Sequence, residues 1–104
     1  MSDAKAADRP AKVVALVTGA SQGLGAVMAK RLAQKGCFVI VNYAHSPGKA
    51  EAVADEIRKA GGEAVAYGMD VSDETAVQEA FADFETRYGG VCVLVNNARV
   101  DPLS

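Results

Sequence analysis

The stretch Val13–Gly25, which reads Val-Val-Ala-Leu-Val-Thr-Gly-Ala-Ser-Gln-Gly-Leu-Gly, decides how the rest of the chain is interpreted. Its continuous apolar run is typical of a strand covered on both faces, and the glycines after it predict a tight turn into a helix. We assign Gly19 to the exit from the strand, Gly23 to the close approach of a phosphate, and Gly25 to the packing of the helix on the strand. Because a helix N-terminus favours an anion, the stretch predicts a phosphate-binding or dinucleotide-binding turn. The alternative is a tight strand-to-helix turn without a ligand.

The spacing of these glycines distinguishes the turn from two common phosphate-binding motifs. It is Gly-x-x-x-Gly-x-Gly, whereas the ordinary Rossmann fingerprint is Gly-x-Gly-x-x-Gly and a P-loop continues into Gly-Lys-Ser/Thr. Two later segments, Asp70-Val71 and Asn96-Asn97-Ala98, also follow apolar runs. Together the three segments resemble the glycine motif, the Asp-Val pair and the Asn-Asn-Ala-Gly motif of the short-chain dehydrogenase/reductase family. The resemblance covers nearly the whole chain from Lys12 onward.

Apolar runs alternate with amphipathic segments along the chain. Four strands joined by three helices predict right-handed crossovers and a parallel sheet. The resemblance implies an α/β fold with a Rossmann-type three-layer sheet in the strand order 3-2-1-4, truncated after the fourth strand. We expect residues 1–11 to form a flexible tail and residues 12–104 to form a partial NAD(P)-binding domain.

Helical periodicity and capping preferences give more detailed expectations. In the first helix, the spacing predicts a buried stripe made of Leu24, Val27, Met28 and Leu32. Ser72 is expected to cap the third helix, because serine is a favoured N-cap residue. The fourth strand is expected to span residues 91–95.

Composition excludes several classes of protein. The chain has 104 residues, half of them hydrophobic, and a formal net charge of −2, which gives no support for binding to nucleic acid or to a membrane surface. No apolar stretch approaches the length of a membrane span, so a cytoplasmic location is the default expectation. In the strand order 3-2-1-4, strands two and four flank strand one. That separation is too great for a disulfide between Cys37 and Cys92, and two free thiols are therefore expected.

The choice of cofactor depends on the end of the second strand. Enzymes that use NAD usually carry an acidic residue there, about 20 residues after the glycines, to hold the ribose 2′-hydroxyl. This chain has Tyr43 at that position, and His45, Ser46 and Lys49 could donate to a 2′-phosphate. We therefore expect NADP(H), with NAD(H) as the alternative. The basic residue that marks NADP-dependent family members before the middle glycine is absent, since Gln22 occupies that position.

The resemblance implies further roles around the cofactor. Asp70 would approach the adenine amino group while Val71 covers the ring, and Asn97 would lie beside the cofactor ribose. Asp70 could instead be a plain acid at the entry to the next helix, and the asparagines could simply satisfy turn backbone groups. The complete set of expected cofactor-binding residues is Gly19, Ser21, Gln22, Gly23, Leu24, Gly25, Tyr43, His45, Ser46, Asp70, Val71, Asn97 and Ala98. No catalytic residue and no metal site are predicted. At position 99 the family has glycine and this chain has Arg99, which we expect to obstruct the cofactor. The alternative is that Arg99 pairs with a phosphate.

The family's reaction uses a tyrosine whose pKa is lowered by a lysine four residues later, together with a serine. Tyr43, Tyr67 and Tyr88 all lack that lysine. Because the sequence ends at Ser104, before the segments that carry these groups in the family, we expect the 104-residue chain to be inactive alone. The parent activity would be hydride transfer between NADP(H) and a carbonyl or alcohol.

Within the family, the segment 41–44 (Val-Asn-Tyr-Ala) resembles bacterial 3-oxoacyl-carrier-protein reductases and glucose dehydrogenases. The rival interpretation is a non-catalytic nucleotide-binding or interaction module, or a gene remnant. The fourth strand is apolar and uncharged, so we expect the isolated chain to self-associate through the edge of that strand or to be only marginally folded.

Overall fold

The computed structural model describes residues 12–97, and they form four strands and three helices in strict alternation. The elements in chain order are β1 Val14–Val17, α1 Gly23–Gln34, β2 Phe38–Tyr43, α2 Pro47–Lys59, β3 Glu63–Gly68, α3 Glu74–Tyr88 and β4 Val93–Val95. The expected tail 1–11 and the segment 98–104 lie outside the described residues. β4 is shorter than expected and begins at Val93.

All strand pairings in the sheet are parallel, and the order is β3-β2-β1-β4, as predicted. β1 lies between β2 and β4, with Leu16 opposite both Ile40 and Leu94. Every residue of β1 is buried, because both faces of this central strand are covered. Cys37 and Cys92 are both free, as expected for residues on either side of β1.

Alternate side chains of the strands pack against different helices, which gives three layers. On one face, Val17, Val39 and Val41 pack with α1 and α2 in a core of valine and alanine. On the other face, Leu16 and Ile40 pack with α3 in a core that contains aromatic rings. Phe84 is the centre of that second core, since its ring lies 4.7 Å from Tyr67 and 5.7 Å from Phe81.

The predicted buried stripe of α1 is wrong for Leu24 and Val27, whereas Met28 is half-buried and Leu32 packs against the core. The helix instead buries its small residues, while Leu24 is 67% exposed and Val27 is 53% exposed. The buried residues of α1 are Gly25, Ala26, Ala29 and Ala33. Small side chains let the helix axis come close to the sheet, and this close approach decides which face turns inward.

The predicted cap of α3 is also wrong. Asp73 is the N-cap, in an extended conformation, and its carboxylate accepts a hydrogen bond from the N–H of Ala76 at 3.1 Å. Ser72 is one residue too early to do this and instead donates to Asp70. Gly89 ends the helix with a left-handed φ of 80°. Among residues 12–97, no helix is long and apolar enough to cross a membrane.

Candidate functional site

The predicted site residues come together at one edge of the sheet. Since all four strands are parallel, their carboxyl ends meet at the same edge, and each predicted segment follows one of them. The glycine turn follows β1, residues 43–46 follow β2, Asp70 and Val71 follow β3, and Asn97 follows β4. Four segments that are far apart in sequence therefore form one continuous rim.

Two of the three glycines in the turn are required by their backbone conformation. Gly19 has φ +63° and Gly23 has φ +61°, in the left-handed region that other residues adopt reluctantly. A Cβ added to Gly23 would have no described atom within 4 Å. Position 23 therefore needs glycine for its backbone angle, and the space beside it is open to a ligand.

Gly25 is required by close packing, as the sequence predicts. A Cβ at this position would lie 2.3 Å from the carbonyl oxygen of Gly19 and 2.7 Å from Nδ2 of Asn97. The start of α1 is thus pressed against the turn that precedes it and against the loop that follows β4. No side chain fits between them.

The N-terminus of α1 has properties that suit an anion. Gln22 is the N-cap, and its side chain makes no capping hydrogen bond within the described part of the chain. Ala26 N–H donates to the Gln22 carbonyl at 3.3 Å and begins the intrahelical ladder. The N–H groups of Gly23, Leu24 and Gly25 precede it, as the orphan donors of a helix start do. Ser21, the preceding turn residue, is half-buried.

The loop after β4 is tied to the glycine turn through Thr18. Asn97 N–H donates to Thr18 Oγ1 at 2.9 Å, and Thr18 Oγ1 lies 3.3 Å from Asn96 Oδ1. The side-chain amide of Asn97 donates to the Gly19 carbonyl at 3.1 Å. These contacts hold Asn97 against the turn. Ala98 and Arg99, for which binding and steric roles were predicted, lie outside the described residues.

The segment after β2 carries the residues expected to choose the cofactor. Tyr43 is half-buried against the valine–alanine core, and its ring covers Gly68, where an added Cβ would lie 2.9 Å from the ring. His45 is exposed, and half-buried Ser46 is the N-cap of α2. Lys49, in the first turn of α2, donates from Nζ to Oε1 of Gln22 at 2.8 Å. This bond brings a cation beside the glycine turn.

The segment after β3 holds an exposed carboxylate in one orientation. Oδ1 of Asp70 accepts from Ser72 Oγ at 2.7 Å and from Ser72 N–H at 2.9 Å. These hydrogen bonds lower the pKa of Asp70, and the charge of His45 contributes less in the same direction. Both bonds fall on Oδ1, so Oδ2 is not used by Ser72. Val71 is half-buried beside the α3 core.

One residue of the rim was missed by sequence reasoning. Asn42, near the end of β2, is 1% exposed and contacts both the glycine turn and the segment that leads to Asp70. The available signal was a single amide that interrupts an otherwise apolar strand, Phe-Val-Ile-Val-Asn. A buried polar side chain must be hydrogen-bonded, so its position at the carboxyl end of a strand is informative.

A cavity of about 520 Å³ lies at the opposite edge of the sheet, between the C-terminal ends of α1 and α2. Lys30 and Glu56, which form an ion pair, are part of its lining. Within residues 12–97, none of the residues predicted to bind a cofactor borders this cavity. The rim at the carboxyl ends of the strands is therefore the candidate site.

Comparison with known proteins identifies the group to which this architecture belongs. The family model described as short chain dehydrogenase matches residues 13–103. The chain is 46% identical over 86 residues to the 3-oxoacyl-[acyl-carrier-protein] reductase FabG of Staphylococcus epidermidis, a match that covers 83% of this chain and 35% of that protein. It is 41% identical over 87 residues to the short-chain dehydrogenase/reductase homolog YusS of Bacillus subtilis, covering 84% of this chain and 80% of that protein.

Solved structures agree with these relatives. A metagenomic short-chain oxidoreductase in complex with NADP superposes with a TM-score of 0.81 at 40% identity, covering 85% of this chain and 39% of that one. The chain spans about a third of the length of the FabG relative, whereas it spans most of YusS. On the sequence match, the strand order and the glycine turn together, the chain belongs to the short-chain dehydrogenase family.

Proposed function

We propose that this chain is the NADP(H)-binding part of an oxidoreductase that transfers hydride to or from a carbonyl or alcohol. The observation that carries the proposal is the start of α1. Its first three N–H groups begin with that of the left-handed Gly23, and the side chain of the N-cap, Gln22, makes no capping bond within residues 12–97. Such a terminus stabilises a diphosphate through backbone donors and the helix dipole. Membership of a family of nicotinamide-dependent oxidoreductases supports the same ligand.

The proposed arrangement distributes the cofactor along the rim. The diphosphate lies at the turn of residues 19–25, and the adenine lies at Asp70 and Val71. The ribose next to the adenine lies at residues 43–46, and the nicotinamide half extends towards Asn97 and Ala98. Asp70 supports this assignment because Ser72 orients its carboxylate, and a carboxylate at neutral pH is an acceptor for an amino group. Adenine offers such an amino group.

The preference for NADP(H) rests on charge at the rim. Tyr43 stands where an acidic residue would repel a 2′-phosphate, and Lys49 Nζ lies against Gln22 beside the turn. On binding, Lys49 exchanges its neutral amide partner for an anionic phosphate, and a hydrogen bond between opposite charges is the stronger of the two. One similar protein has been solved in complex with NADP.

Fluorescence titration of the 104-residue chain with NADPH and with NADH tests this proposal. Lys49→Met is expected to weaken NADPH binding about tenfold and to leave NADH binding within about twofold, since a charged hydrogen bond is worth about 1.5–3 kcal/mol. Lys59→Met is the matched control, because Lys59 lies at the far end of α2 and pairs with Asp55 at 3.2 Å. Equal losses for the two cofactors would contradict the role of Lys49. Failure of the parent chain to bind either cofactor would contradict the function.

The 104-residue polypeptide by itself is proposed to bind the cofactor without turnover. Each of its three tyrosines lacks a lysine four residues later. Burial, and secondarily the Asp83 carboxylate, raise the pKa of Tyr67, which is opposite to what a general acid–base tyrosine needs. Incubation with NADPH and a panel of ketones should give no oxidation above the rate without protein, and measurable turnover would contradict the proposal.

A second candidate function is an interaction module that associates with a second copy of itself. In the described part of the chain, β4 pairs only with β1, and Leu94 is 55% exposed. Leu24 and Val27 add apolar surface on α1. An edge strand of this composition is a template for pairing with another chain. Sedimentation of dilute protein should show a dimer or larger species that Leu94→Lys reduces, and a monomer at all concentrations would exclude this function.

A cytoplasmic location, supported by two free thiols, is testable by cell fractionation.

A further inference from the structure

Asn42 holds the glycine turn from beneath. Its Oδ1 accepts a hydrogen bond from the Gly19 N–H at 3.1 Å, and its backbone carbonyl accepts from the Ala20 N–H at 2.9 Å. The first two N–H groups of the turn are therefore directed into the protein, and one residue receives both of them. The donors left for a phosphate are those that follow, at the start of α1.

The other end of the same side chain holds the segment after β3. Its Nδ2 donates to the carbonyl oxygen of Met69 at 3.0 Å, and the carbonyl oxygens of Tyr43 and Tyr67 both lie 3.3 Å away. Met69 N–H donates in turn to the Tyr43 carbonyl at 2.9 Å, and Met69 is followed directly by Asp70. An amide suits this position because it accepts at one atom and donates at the other.

The sheet order explains why β2 carries this residue. β1 and β3 are not neighbours, because β2 lies between them. Only a side chain at the end of β2 can reach both the turn that follows β1 and the segment that follows β3. Asn42 is 1% exposed, so it does not reach a bound ligand itself.

We infer that Asn42 is the positioning residue that sets the distance between the phosphate-binding turn and Asp70, and with it the span available to an adenine dinucleotide. The inference rests on the proposed function. Asn42 acts through Gly19 and Met69, which are held against the same amide, so the two ends of the adenosine-diphosphate half of the cofactor are positioned together. A role confined to stability would lower the melting temperature and leave the affinity of the folded chain unchanged.

Two variants of Asn42 in the full 104-residue chain separate its two contacts. Asn42→Leu removes both the acceptor for Gly19 and the donor to Met69. Asn42→Asp keeps the acceptor and replaces the donor with an oxygen that faces three carbonyl groups. Phe84→Leu is the matched control, because it removes core volume beneath α3, on the other face of the sheet from α1 and α2.

The affinity for NADPH is measured at a temperature at which circular dichroism shows every variant to be folded. Both Asn42 variants should bind at least tenfold more weakly than the parent, while Phe84→Leu lowers the melting temperature and keeps the affinity within twofold. Binding within twofold of the parent by Asn42→Asp or Asn42→Leu would overturn the inference. So would an equal loss of affinity in Phe84→Leu, since stability alone would then explain the effect.

Amide exchange measured by NMR without nucleotide tests the positioning independently of the proposed function. In Asn42→Asp, the Gly19 amide should stay protected while the Met69 amide loses protection, and Phe84→Leu should retain both. Unchanged protection at Met69 in Asn42→Asp would overturn the inference even if Asn42→Leu fails to fold. A parent chain that binds no NADPH would instead contradict the proposed function, and the exchange pattern would still decide the role of Asn42.

Discussion

The first and third helices begin in opposite ways, although each follows a strand and a short polar turn. α3 starts with Asp73, whose carboxylate bonds the Ala76 N–H, and Glu74 adds negative charge to its first turn. α1 starts with Gln22, which makes no side-chain cap in the described part of the chain, and its first turn is Gly-Leu-Gly. The start of α3 is capped by one of its own side chains, whereas under the proposed function the N–H donors at the start of α1 are left for the cofactor.

The buried faces of the two helices differ in the same sense. α3 packs through Phe84 and Ala80 and fills one core with an aromatic ring. α1 packs through glycine and alanine and exposes its larger apolar side chains. The large side chains of α3 therefore cover one face of the sheet, whereas the small residues of α1 allow its N-terminus to lie close to the strand ends. Under the proposed function, a side-chain cap at the start of α1 would stabilise the helix and occupy N–H donors that the cofactor needs.

The largest effect is expected from Gly25→Ala. The added methyl would lie 2.3 Å from the Gly19 carbonyl oxygen, so the start of α1 must move away from the turn. Overpacking against backbone of this kind costs about 3 kcal/mol or more, which exceeds the gain in helix propensity of about 1 kcal/mol. Urea denaturation should show this loss, and NADPH titration should show no binding.

Gly48→Ala is the control for that variant, because it adds the same methyl near the start of α2, where no described atom lies within 4 Å. It should leave stability unchanged or raise it by up to about 1 kcal/mol. If Gly25→Ala behaved like Gly48→Ala, the close approach of α1 to the turn would not matter for either stability or binding.

A side-chain N-cap introduced at α1 should make the start of this helix resemble that of α3, which is capped by Asp73. Gln22→Asp would give its N–H groups an internal acceptor, and the free energy of unfolding should rise by about 1 kcal/mol. The affinity for NADPH should fall more than tenfold, because the new carboxylate repels a diphosphate. Gln22→Asn is the control: it should give a similar gain in stability with a smaller loss of affinity. A loss of the same size in Gln22→Asn would attribute the effect to the cap and not to its charge.

The opposite change at α3 should affect stability alone. Asp73→Ala removes the N-cap bond to Ala76 and should lower the free energy of unfolding by about 1 kcal/mol, measured by urea denaturation. Ser72→Ala should change it by less than about 0.5 kcal/mol, since Ser72 is not the cap. A larger loss in Ser72→Ala than in Asp73→Ala would restore serine as the cap.

The smallest effect is expected in the titration of Asp70. Hydrogen bonds from Ser72 hold the pKa of this carboxyl below its ordinary value, so their contribution to stability is present at neutral pH. It is lost as the pH falls through the lowered pKa of the folded chain. Carboxyl NMR titration should show the pKa of Asp70 rising towards its ordinary value in Ser72→Ala. An unchanged pKa would mean that the Ser72 hydroxyl does not bond this carboxylate in solution, since the backbone N–H bond is retained in the variant.

The order of strands and helices, and the turn at the centre of the candidate site, could be predicted from the amino-acid sequence alone. The apolar runs predicted all four strands, and the signal is clearest in β1 and β2, which are almost entirely buried because both of their faces are covered. The glycines at 19, 23 and 25 predicted the turn, because left-handed backbone and close approach are local demands that glycine alone meets. The strand order came from the family resemblance, and the structure confirmed it.

Two features could be recognised only from the tertiary structure. They are the buried face of α1 and the residue that contacts both the glycine turn and the segment after β3. Periodicity favoured Leu24 and Val27, but the contact of Gly25 with Gly19 and Asn97 rotates the small residues inward. Asn42 had no motif to mark it, since Gly19 and Met69 lie 23 and 27 residues away, in the segments that follow two other strands. The role of a buried amide depends on the carbonyl and N–H groups that surround it, and these are brought together only when the sheet has formed.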